Sequence, residues 1–224
     1  MALNMKDPKD PWYCVFDRLI PGDDRTMVLT SFLINDMKSE MSEVEFWRMI
    51  EQLFNFKKYG TPVEKIELKY WKGFFVPPKL KAAIATRKCT VCGAEYAPVA
   101  NNQKYCHMCG ELIWRMEVRK YPLATRKAVL DYIRQYGYVC YYTGMPLDQD
   151  PRSPWYVVLD HWLPQNPGKL VVTSALFNTM KTDLTEKEFW YFIGQLYNCH
   201  FKGKNFRKKK LDCWARVLPP AWAA

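Results

Sequence analysis

The chain has 224 residues, 49% of them apolar, which suffices for one or two small domains with a buried core. A net charge of +10 and a pI near 9.1, in a chain rich in Trp and Tyr, favour a polyanionic partner such as nucleic acid over a membrane surface. No apolar run reaches the roughly 20 residues that span a bilayer. Residues 1–10 lack a signal-peptide core, so we expect a cytoplasmic protein without membrane association.

An internal repeat organises the chain. Residues 11–55 align without a gap on residues 154–198 after a shift of 143 positions. The shared positions include Pro-Trp-Tyr, an Asp, a Pro, Thr-Ser, an Asn, Met-Lys, Glu-x-Glu-Phe-Trp and Gln-Leu-x-Asn. Agreement over this length predicts a duplicated structural unit. We call residues 11–55 the first copy and residues 154–198 the second copy.

Each copy closes with the pattern of an amphipathic helix. Ser42-x-x-Glu45 and Thr185-x-x-Glu188 are capping boxes, in which a hydroxyl and a carboxylate satisfy free backbone N–H groups at a helix start. Apolar residues follow at helical spacing, and we expect them to pack in the core. They are Phe46, Met49, Ile50, Leu53 and Phe54 in the first copy, and Phe189, Phe192, Ile193, Leu196 and Tyr197 in the second.

A short basic linker, residues 79–88, leads from the first copy to two CxxCG motifs. Cys89 and Cys92 form one pair and Cys106 and Cys109 the other, with 13 residues between the pairs. Four thiolates at this spacing suit one tetrahedral zinc ion and leave no position for water, so we predict a structural four-cysteine zinc ribbon. A redox dithiol is the weaker alternative, because it leaves the second pair unexplained.

Basic residues surround the cysteine motifs and suggest a contact with nucleic acid, the plain alternative being a solvated surface. They are Arg87, Lys88, Lys104, Arg115, Arg119 and Lys120. His107 lies inside the second motif, and we expect it to face solvent because four thiolates already complete the site. Residues 125–136 then have the apolar spacing of a helix that ends at Gly137.

The second copy begins with the pattern of two strands and a short helix. Residues 155–159 are aromatic and β-branched and predict a strand that ends at an Asp-His pair. A loop at 164–168 and a second strand at 170–173 follow. Ser174 is suited to cap a helix, which places Asn178 about one turn into that helix.

This order of elements predicts one cleft that contains Asp160, His161 and Asn178. A carboxylate and an amide carbonyl are the hard oxygen ligands that Mg²⁺ or Mn²⁺ prefers. A neutral histidine, with an ordinary pKa of about 6.5, can take a proton from an attacking water near neutral pH. The three side chains therefore suit metal-assisted phosphodiester hydrolysis, with His161 as the base.

These residues resemble the HNH nucleases, also called ββα-metal or His-Me finger nucleases, which include phage homing and junction-resolving endonucleases. The matching motifs are Cys140-Tyr-Tyr-Thr-Gly144, Asp160-His161, Pro164 and Asn178-Thr-Met-Lys181. The resemblance covers residues 124–198 and implies that His161 is the base and that Asp160 and Asn178 hold one Mg²⁺ or Mn²⁺. It also implies a DNA endonuclease of phage or mobile-element origin. Many members have two extra CxxC pairs around this motif, and here only Cys140 lies nearby.

The first copy differs at the decisive position. Where the second copy has Asp160-His161, the first has Asp17-Arg18, whereas Asn35 and Lys38 match Asn178 and Lys181. Arginine stays protonated and cannot act as a base, so the first copy is predicted to be catalytically silent. A phosphate on Arg18 or a metal on Asp17 and Asn35 is an alternative to a fold kept for its shape.

The predicted fold is therefore α+β, with two tandem ββα-metal units, the first degenerate and the second intact, separated by the zinc ribbon. The corresponding segments are 1–78, 79–123 and 124–224. The C-terminal segment holds a run of cations beside aromatic residues, which we expect to contact nucleic acid. The residues predicted to make such contacts are Arg18, Lys38, Lys181, Arg207, Lys208, Lys209 and Lys210.

The main alternative to an enzyme is a nucleic-acid-binding or assembly protein that has kept the HNH scaffold without its activity. An intact Asp-His pair favours the enzyme, because a scaffold does not require a histidine at position 161. DNA is the expected substrate and RNA stays an alternative. The chain is expected to be either a monomer with an internal pseudo-repeat or a homodimer.

Overall fold

The computed structural model describes residues 3–73, 86–100, 102–164 and 166–212. Helices and small two-stranded antiparallel sheets alternate along the chain, which confirms the predicted α+β class. The elements are β1 (Cys14–Arg18), β2 (Met27–Ser31), α1 (Phe32–Lys38), α2 (Glu43–Tyr59), β3 (Arg87–Lys88), β4 (Glu95–Tyr96), α3 (His107–Val118), α4 (Leu123–Tyr136), β5 (Val157–Leu163), β6 (Asn166–Ser174), α5 (Ala175–Lys181) and α6 (Glu186–Lys202). The strands pair as β1 with β2, β3 with β4, and β5 with β6. Within the described ranges, no helix is both long and apolar enough to traverse a bilayer.

Both copies have the same order of elements: two strands, a short helix and a long helix. A shift of 143 residues converts the bounds of α1 into those of α5, and the bounds of α2 into those of α6. The strands of the second copy are longer than predicted. Strand β5 continues through the Asp-His pair to Leu163, and β6 already begins at Asn166, because the two strands stay paired up to a short turn. Most of the predicted loop at 164–168 is therefore strand.

The long helices begin and end in the same way in both copies. Both predicted capping boxes form, one by Ser42 with Glu45 and the other by Thr185 with Glu188. Each helix ends at a glycine in the left-handed conformation, with φ of 73° in the first copy and 61° in the second. Glycine adopts this conformation without a steric penalty from a Cβ atom. Local sequence thus fixes both ends of each helix.

The described residues divide into two compact units. Unit 1 contains residues 3–72, 163–164 and 176–212, and unit 2 contains residue 73 and residues 86–100, 102–162 and 166–175. This division differs from the segments 1–78, 79–123 and 124–224, because helix α2 of the first copy packs against helix α6 of the second within unit 1. Residues 74–85, which include most of the predicted basic linker, lie outside the described residues.

Helices α2 and α6 of unit 1 form a pair with pseudo-twofold symmetry. Phe54 and Tyr197, which are equivalent in the repeat, stack with their ring centroids 3.8 Å apart and their planes 3° apart. Equivalent contacts recur on either side of this stack: Trp47 stacks on His200 at 3.9 Å, and the Lys57 Nζ lies 5.0 Å from the ring centroid of Trp190. Contacts exchanged between equivalent residues are the pattern of an isologous interface.

The predicted apolar stripes form the core of this helix pair. The buried members are Phe46, Met49, Ile50, Leu53, Phe189, Phe192, Ile193 and Leu196. Phe54 and Tyr197 are half-buried in their mutual stack. Each large apolar side chain removed from water contributes roughly 1.5–3 kcal/mol. The prediction that these stripes serve packing is confirmed.

A segment follows each long helix, and the two segments are attached in the same way. We call residues 60–72 the first arm and residues 203–212 the second arm. Glutamine and glutamate oxygens of the helices accept hydrogen bonds from arm backbone N–H groups at equivalent positions. The bonds are Gln52 Oε1 with Glu64 N (2.7 Å), Gln195 Oε1 with Arg207 N (3.2 Å), Glu45 Oε1 with Lys69 N (2.8 Å) and Glu188 Oε1 with Asp212 N (2.8 Å). The structural repeat thus extends beyond the closing helices.

In unit 2, helix α4 covers strand β6. The Thr125 hydroxyl donates to the Gly168 carbonyl at 2.7 Å, and the Tyr141 N–H donates to the Val172 carbonyl at 2.8 Å. Helix α4 begins two residues before the predicted start at Thr125 and ends at Tyr136 as predicted. The cover leaves Val172 only 1% exposed.

Candidate functional sites

Four cysteines of unit 2 converge on one point. The Sγ atoms of Cys89, Cys92, Cys106 and Cys109 all lie within 4.8 Å of one another, and those of Cys92 and Cys106 are 3.7 Å apart. A tetrahedral zinc ion with Zn–S bonds of about 2.3 Å places its sulfur ligands roughly 3.8 Å apart. The donor set and its spacing therefore fit one structural metal ion such as zinc, as the sequence predicted.

The two cysteine pairs lie in different local structures. Cys89 and Cys92 lie in the turn between β3 and β4, where the Gly93 N–H donates to the Cys89 carbonyl at 2.9 Å. Cys106 is instead the N-cap of α3, and Cys109 lies in the first turn of that helix. The second motif begins a helix rather than a hairpin because the residues after it have apolar side chains at helical spacing.

A tyrosine lies against the second cysteine pair. The Tyr138 hydroxyl is 2.9 Å from Cys109 Sγ and 3.6 Å from Cys106 Sγ. Hydrogen bonding from Cys109 lowers the pKa of Cys106 to about 4, whereas the same contact and burial raise the pKa of Cys109. Thiolates are the metal-binding form of cysteine, so the lowered pKa of Cys106 favours metal binding and the raised pKa of Cys109 opposes it. His107 has a 76% exposed side chain and lies outside the cluster, which agrees with its predicted exposure.

The site residues predicted for the first copy lie around one cleft within unit 1. Asp17, Arg18, Asn35 and Lys38 all line this cleft of about 360 Å³. The Lys38 Nζ lies 3.2 Å from Asp17 Oδ1 and donates to the Arg18 carbonyl at 2.6 Å. Lys38 is 3% exposed and Asp17 is 9% exposed, so the two form a buried ion pair.

Charge inside this cleft is balanced by the protein itself. Burial raises the pKa of the Asp17 carboxyl above its usual value, and the Lys38 ammonium acts against this shift. Arg18 is exposed and bonds Asp24 Oδ1 through its Nε at 2.5 Å. Asp17 and Arg18, the charged groups predicted to hold a metal or a phosphate, thus each already have a partner. Binding of either ligand by the first copy stays a prediction.

The Asp-His pair of the second copy lies in the middle of β5 rather than at its end. Asp160 is 5% exposed, and its Oδ2 accepts a 2.6 Å hydrogen bond from the Tyr142 hydroxyl. His161 is half-buried, with its Nε2 2.8 Å from the Tyr121 hydroxyl. All of these groups belong to unit 2. Each member of the pair therefore has a phenol as a hydrogen-bond partner.

Asn178 and Lys181 lie on the short helix α5, as its fourth and last residues. Lys181 is 1% exposed and is thus as inaccessible as its counterpart Lys38. Both lysine side chains therefore lie inside the fold. Their contact with nucleic acid stays a prediction, and so does the cleft expected to contain Asp160, His161 and Asn178.

The predicted cations of the C-terminal segment lie on the second arm. Arg207, Lys208 and Lys210 are exposed, and Lys209 is half-buried. The Nζ atoms of Lys208 and Lys209 each lie 5.7 Å from an aromatic ring centroid, of Trp12 and Tyr191 respectively. The first arm has Glu64, Lys65, Ile66 and Glu67 at the positions equivalent to 207–210. The basic character is therefore specific to the second arm.

Sequence reasoning did not identify either phenol as a site residue. Tyr142 lies inside the Cys140–Gly144 lead-in, so that motif could have pointed to it. Tyr121 precedes His161 by 40 residues and lies in no motif. Only the fold brings its hydroxyl to the imidazole.

No family model, no curated protein and no solved structure matches this chain.

Proposed function

We propose that the chain is a divalent-metal-dependent HNH endonuclease that hydrolyses phosphodiester bonds of DNA. It consists of two tandem ββα-metal units, of which only the second is active. The observation that carries this proposal is the first-copy cleft, which gathers Asp17, Arg18, Asn35 and Lys38. The equivalent residues of the second copy are Asp160, His161, Asn178 and Lys181. Internal repetition thus favours a second cleft in which a histidine takes the place of an arginine.

Each site residue of the second copy has its own role in the proposed reaction. His161 accepts a proton from the attacking water, which a neutral imidazole can do and a guanidinium cannot. Asp160 and Asn178 offer a carboxylate and an amide oxygen, a donor pair that suits Mg²⁺ or Mn²⁺. Such an ion, when bound, stabilises the leaving oxygen and the charge that develops on the phosphate. The Tyr142 phenol holds Asp160 without cancelling its negative charge.

The second arm binds the phosphate backbone in this proposal. Its exposed cations Arg207, Lys208 and Lys210 neutralise phosphates, and this contribution to affinity weakens as salt rises. The four-cysteine site serves structure, because a complete set of thiolates leaves no open coordination position for a substrate. RNA stays an alternative substrate, and both a monomer and a homodimer are compatible with one active copy per chain.

Nicking of supercoiled plasmid in Mg²⁺ or Mn²⁺ tests the proposal, and the repeat provides a matched control. We expect His161→Ala to reduce cleavage by at least about 100-fold, the usual contribution of a general base. Arg18→Ala changes the equivalent position of the silent copy and is expected to keep the wild-type rate of cleavage at saturating DNA, because the predicted role of Arg18 is contact with nucleic acid rather than proton transfer. Equal cleavage by His161→Ala and wild type, or an inert wild type on all DNA and RNA substrates, contradicts the proposal.

The second candidate is a nucleic-acid-binding protein that has lost catalysis in both copies. It is favoured by one observation: in the first copy the Lys38 ammonium lies on Asp17, and Lys181 is equally buried at the equivalent position. An ammonium on Asp160 would compete with a divalent ion. This candidate predicts salt-sensitive DNA binding without cleavage and without uptake of Mn²⁺ beyond the cysteine site.

A further inference from the structure

Tyr121 is fixed by the turn that joins α3 to α4. Its N–H donates to the Met116 carbonyl at 3.0 Å, and the preceding residue Lys120 has a positive φ of 55°. The side chain is 8% exposed, and its hydroxyl lies 2.8 Å from His161 Nε2. The backbone of this turn therefore determines where the phenol meets the imidazole.

Helix α3 is in turn anchored along its first two turns within unit 2. Cys106 and Cys109, two of the four cysteines that would hold zinc, lie at its start. One turn later Glu111 accepts a 2.8 Å hydrogen bond from the Tyr156 hydroxyl, next to the start of β5. The cysteine site thus holds the start of the helix whose end leads into the turn with Tyr121.

We propose that Tyr121 is a positioning residue for His161, and that the four-cysteine site holds Tyr121 in place through α3. This inference rests on the proposed function, in which His161 is the base. Because the phenol oxygen already lies 2.8 Å from Nε2, the attacking water transfers its proton to Nδ1. The Nε2–H donates to the Tyr121 oxygen, and this bond selects the tautomer whose Nδ1 lone pair can accept that proton.

The first copy supports this assignment by contrast. Arg18 replaces the histidine there, and its guanidinium bonds the Asp24 carboxylate rather than a phenol. A guanidinium has no tautomer to select, so a copy with arginine at this position requires no positioning tyrosine. Tyr121 comes from the segment between the two copies and serves only the copy that has a histidine.

Tyr121→Phe tests the positioning role, with Tyr132→Phe as the matched control. Tyr132 lies on α4, and its hydroxyl donates to the Val139 carbonyl at 3.2 Å, away from His161. We expect Tyr121→Phe to reduce kcat roughly 10- to 100-fold at unchanged KM, as for lost outer-shell partners of functional histidines. The control is expected to retain kcat.

Histidine-selective ¹⁵N NMR of the zinc-loaded chain tests the contact independently of activity. The chain has three histidines, so substitution assigns each signal. We expect the neutral His161 of wild type to carry its proton on Nε2, and Tyr121→Phe to give a mixture of tautomers. A proton on Nδ1 in wild type, or an unchanged His161 signal in Tyr121→Phe, overturns the proposal. An inactive wild type that has the expected tautomer refutes the nuclease assignment and leaves the Tyr121 contact standing.

Removal of zinc by a chelator tests the link from the cysteine site to His161. We expect the His161 signal to change towards that of Tyr121→Phe, whereas the signal of His200, which stacks on Trp47 in unit 1, stays in place. The His200 signal shows whether unit 1 remains folded. A His161 signal that survives zinc removal unchanged overturns the zinc link.

Discussion

Asp160 is almost inaccessible to solvent, and the Tyr142 hydroxyl donates to it at 2.6 Å. We expect Tyr142→Phe to lower the free energy of unfolding by about 1–3 kcal/mol, because a buried carboxylate loses a hydrogen-bond donor. The neighbouring Tyr141, whose side chain is 40% exposed, provides the control, and Tyr141→Phe is expected to change stability by less than about 0.5 kcal/mol. Urea denaturation measures both, and equal losses would contradict this role of Tyr142.

At the scale of residues, chemical type and spacing were sufficient for part of the site. The cysteines were recognised because their spacing is tied to metal geometry, and the structure brings all four together. Asp160 and His161 are recognisable from the order of elements, from the HNH-like motifs around them and from the altered pair of the first copy. Tyr121 was not recognisable, because its role depends on a turn 40 residues away along the chain from the histidine.

At the scale of elements, the contact between α2 and α6 predicts a coupling free energy that can be measured. Phe54 and Tyr197 stack at 3.8 Å, and a double-mutant cycle with alanine at both positions is expected to give a coupling of about 0.5–1.5 kcal/mol. The control cycle pairs Phe54 with Val44, an exposed residue about 15 Å away along the same helix, for which we expect additive effects. A coupling free energy of the same size in both cycles would show that the stack of the two rings is not its cause.

Equivalent strand positions of the two copies differ in how much of the residue is exposed to solvent. Leu29 lies opposite Phe16 in the first copy and is 62% exposed, whereas its counterpart Val172 is 1% exposed in unit 2. We expect Val172→Ala to cost about 1–3 kcal/mol of unfolding free energy, because buried methyl groups are lost. Leu29→Ala is expected to cost less than about 0.5 kcal/mol. Thermal unfolding compares the two variants. A larger loss of stability for Leu29→Ala than for Val172→Ala would refute the difference in burial.

At the scale of elements, the repeat and the helix caps were readable from sequence because they depend on neighbouring residues. The capping boxes of Ser42 and Thr185 form as predicted. The start of α3 at the second cysteine pair is not readable from the motif itself, because CxxCG looks alike at the end of a hairpin and at the start of a helix. The signal that distinguishes them lies after the motif, where Met108, Leu112 and Met116 recur every four residues and are buried in α3.

For the whole molecule, basic side chains of the second arm can be replaced by the acidic ones at equivalent positions of the first arm without removing the backbone hydrogen bonds of the arm. Arg207→Glu with Lys210→Glu gives the second arm the glutamates that the first arm has at 64 and 67, while the hydrogen bond from the backbone at 207 to Gln195 stays available. We expect unchanged thermal stability, weaker binding to duplex DNA and a salt dependence shallower by about 2 in the log–log slope. Fluorescence anisotropy across a salt series measures the slope.

The equivalent lysines of the two arms provide the control for this experiment. Lys65 and Lys208 undergo the same change of charge on substitution by glutamate. We expect Lys208→Glu to weaken DNA binding and Lys65→Glu to have a much smaller effect. Equal weakening would mean that total charge, rather than the second arm, governs binding.

Metal content provides a further test of the whole chain. Cys109→Ser is expected to lose the zinc ion and to lower the melting temperature, because metal binding adds directly to folding stability. Cys199→Ser changes an exposed cysteine outside the cluster and is expected to keep one zinc per chain. Elemental analysis and thermal unfolding measure both variants. Full zinc content in Cys109→Ser would refute the four-thiolate site.

The stack of Phe54 on Tyr197 also suggests how such a chain arose. Under the proposed function, two identical subunits joined through this helix would have had a histidine in each half, and fusion of their genes would have released one half from selection for chemistry. Arg18 could then replace the histidine of that half without weakening the joint between the halves. In this history the first copy persists as a permanently attached subunit that supplies one side of a common core.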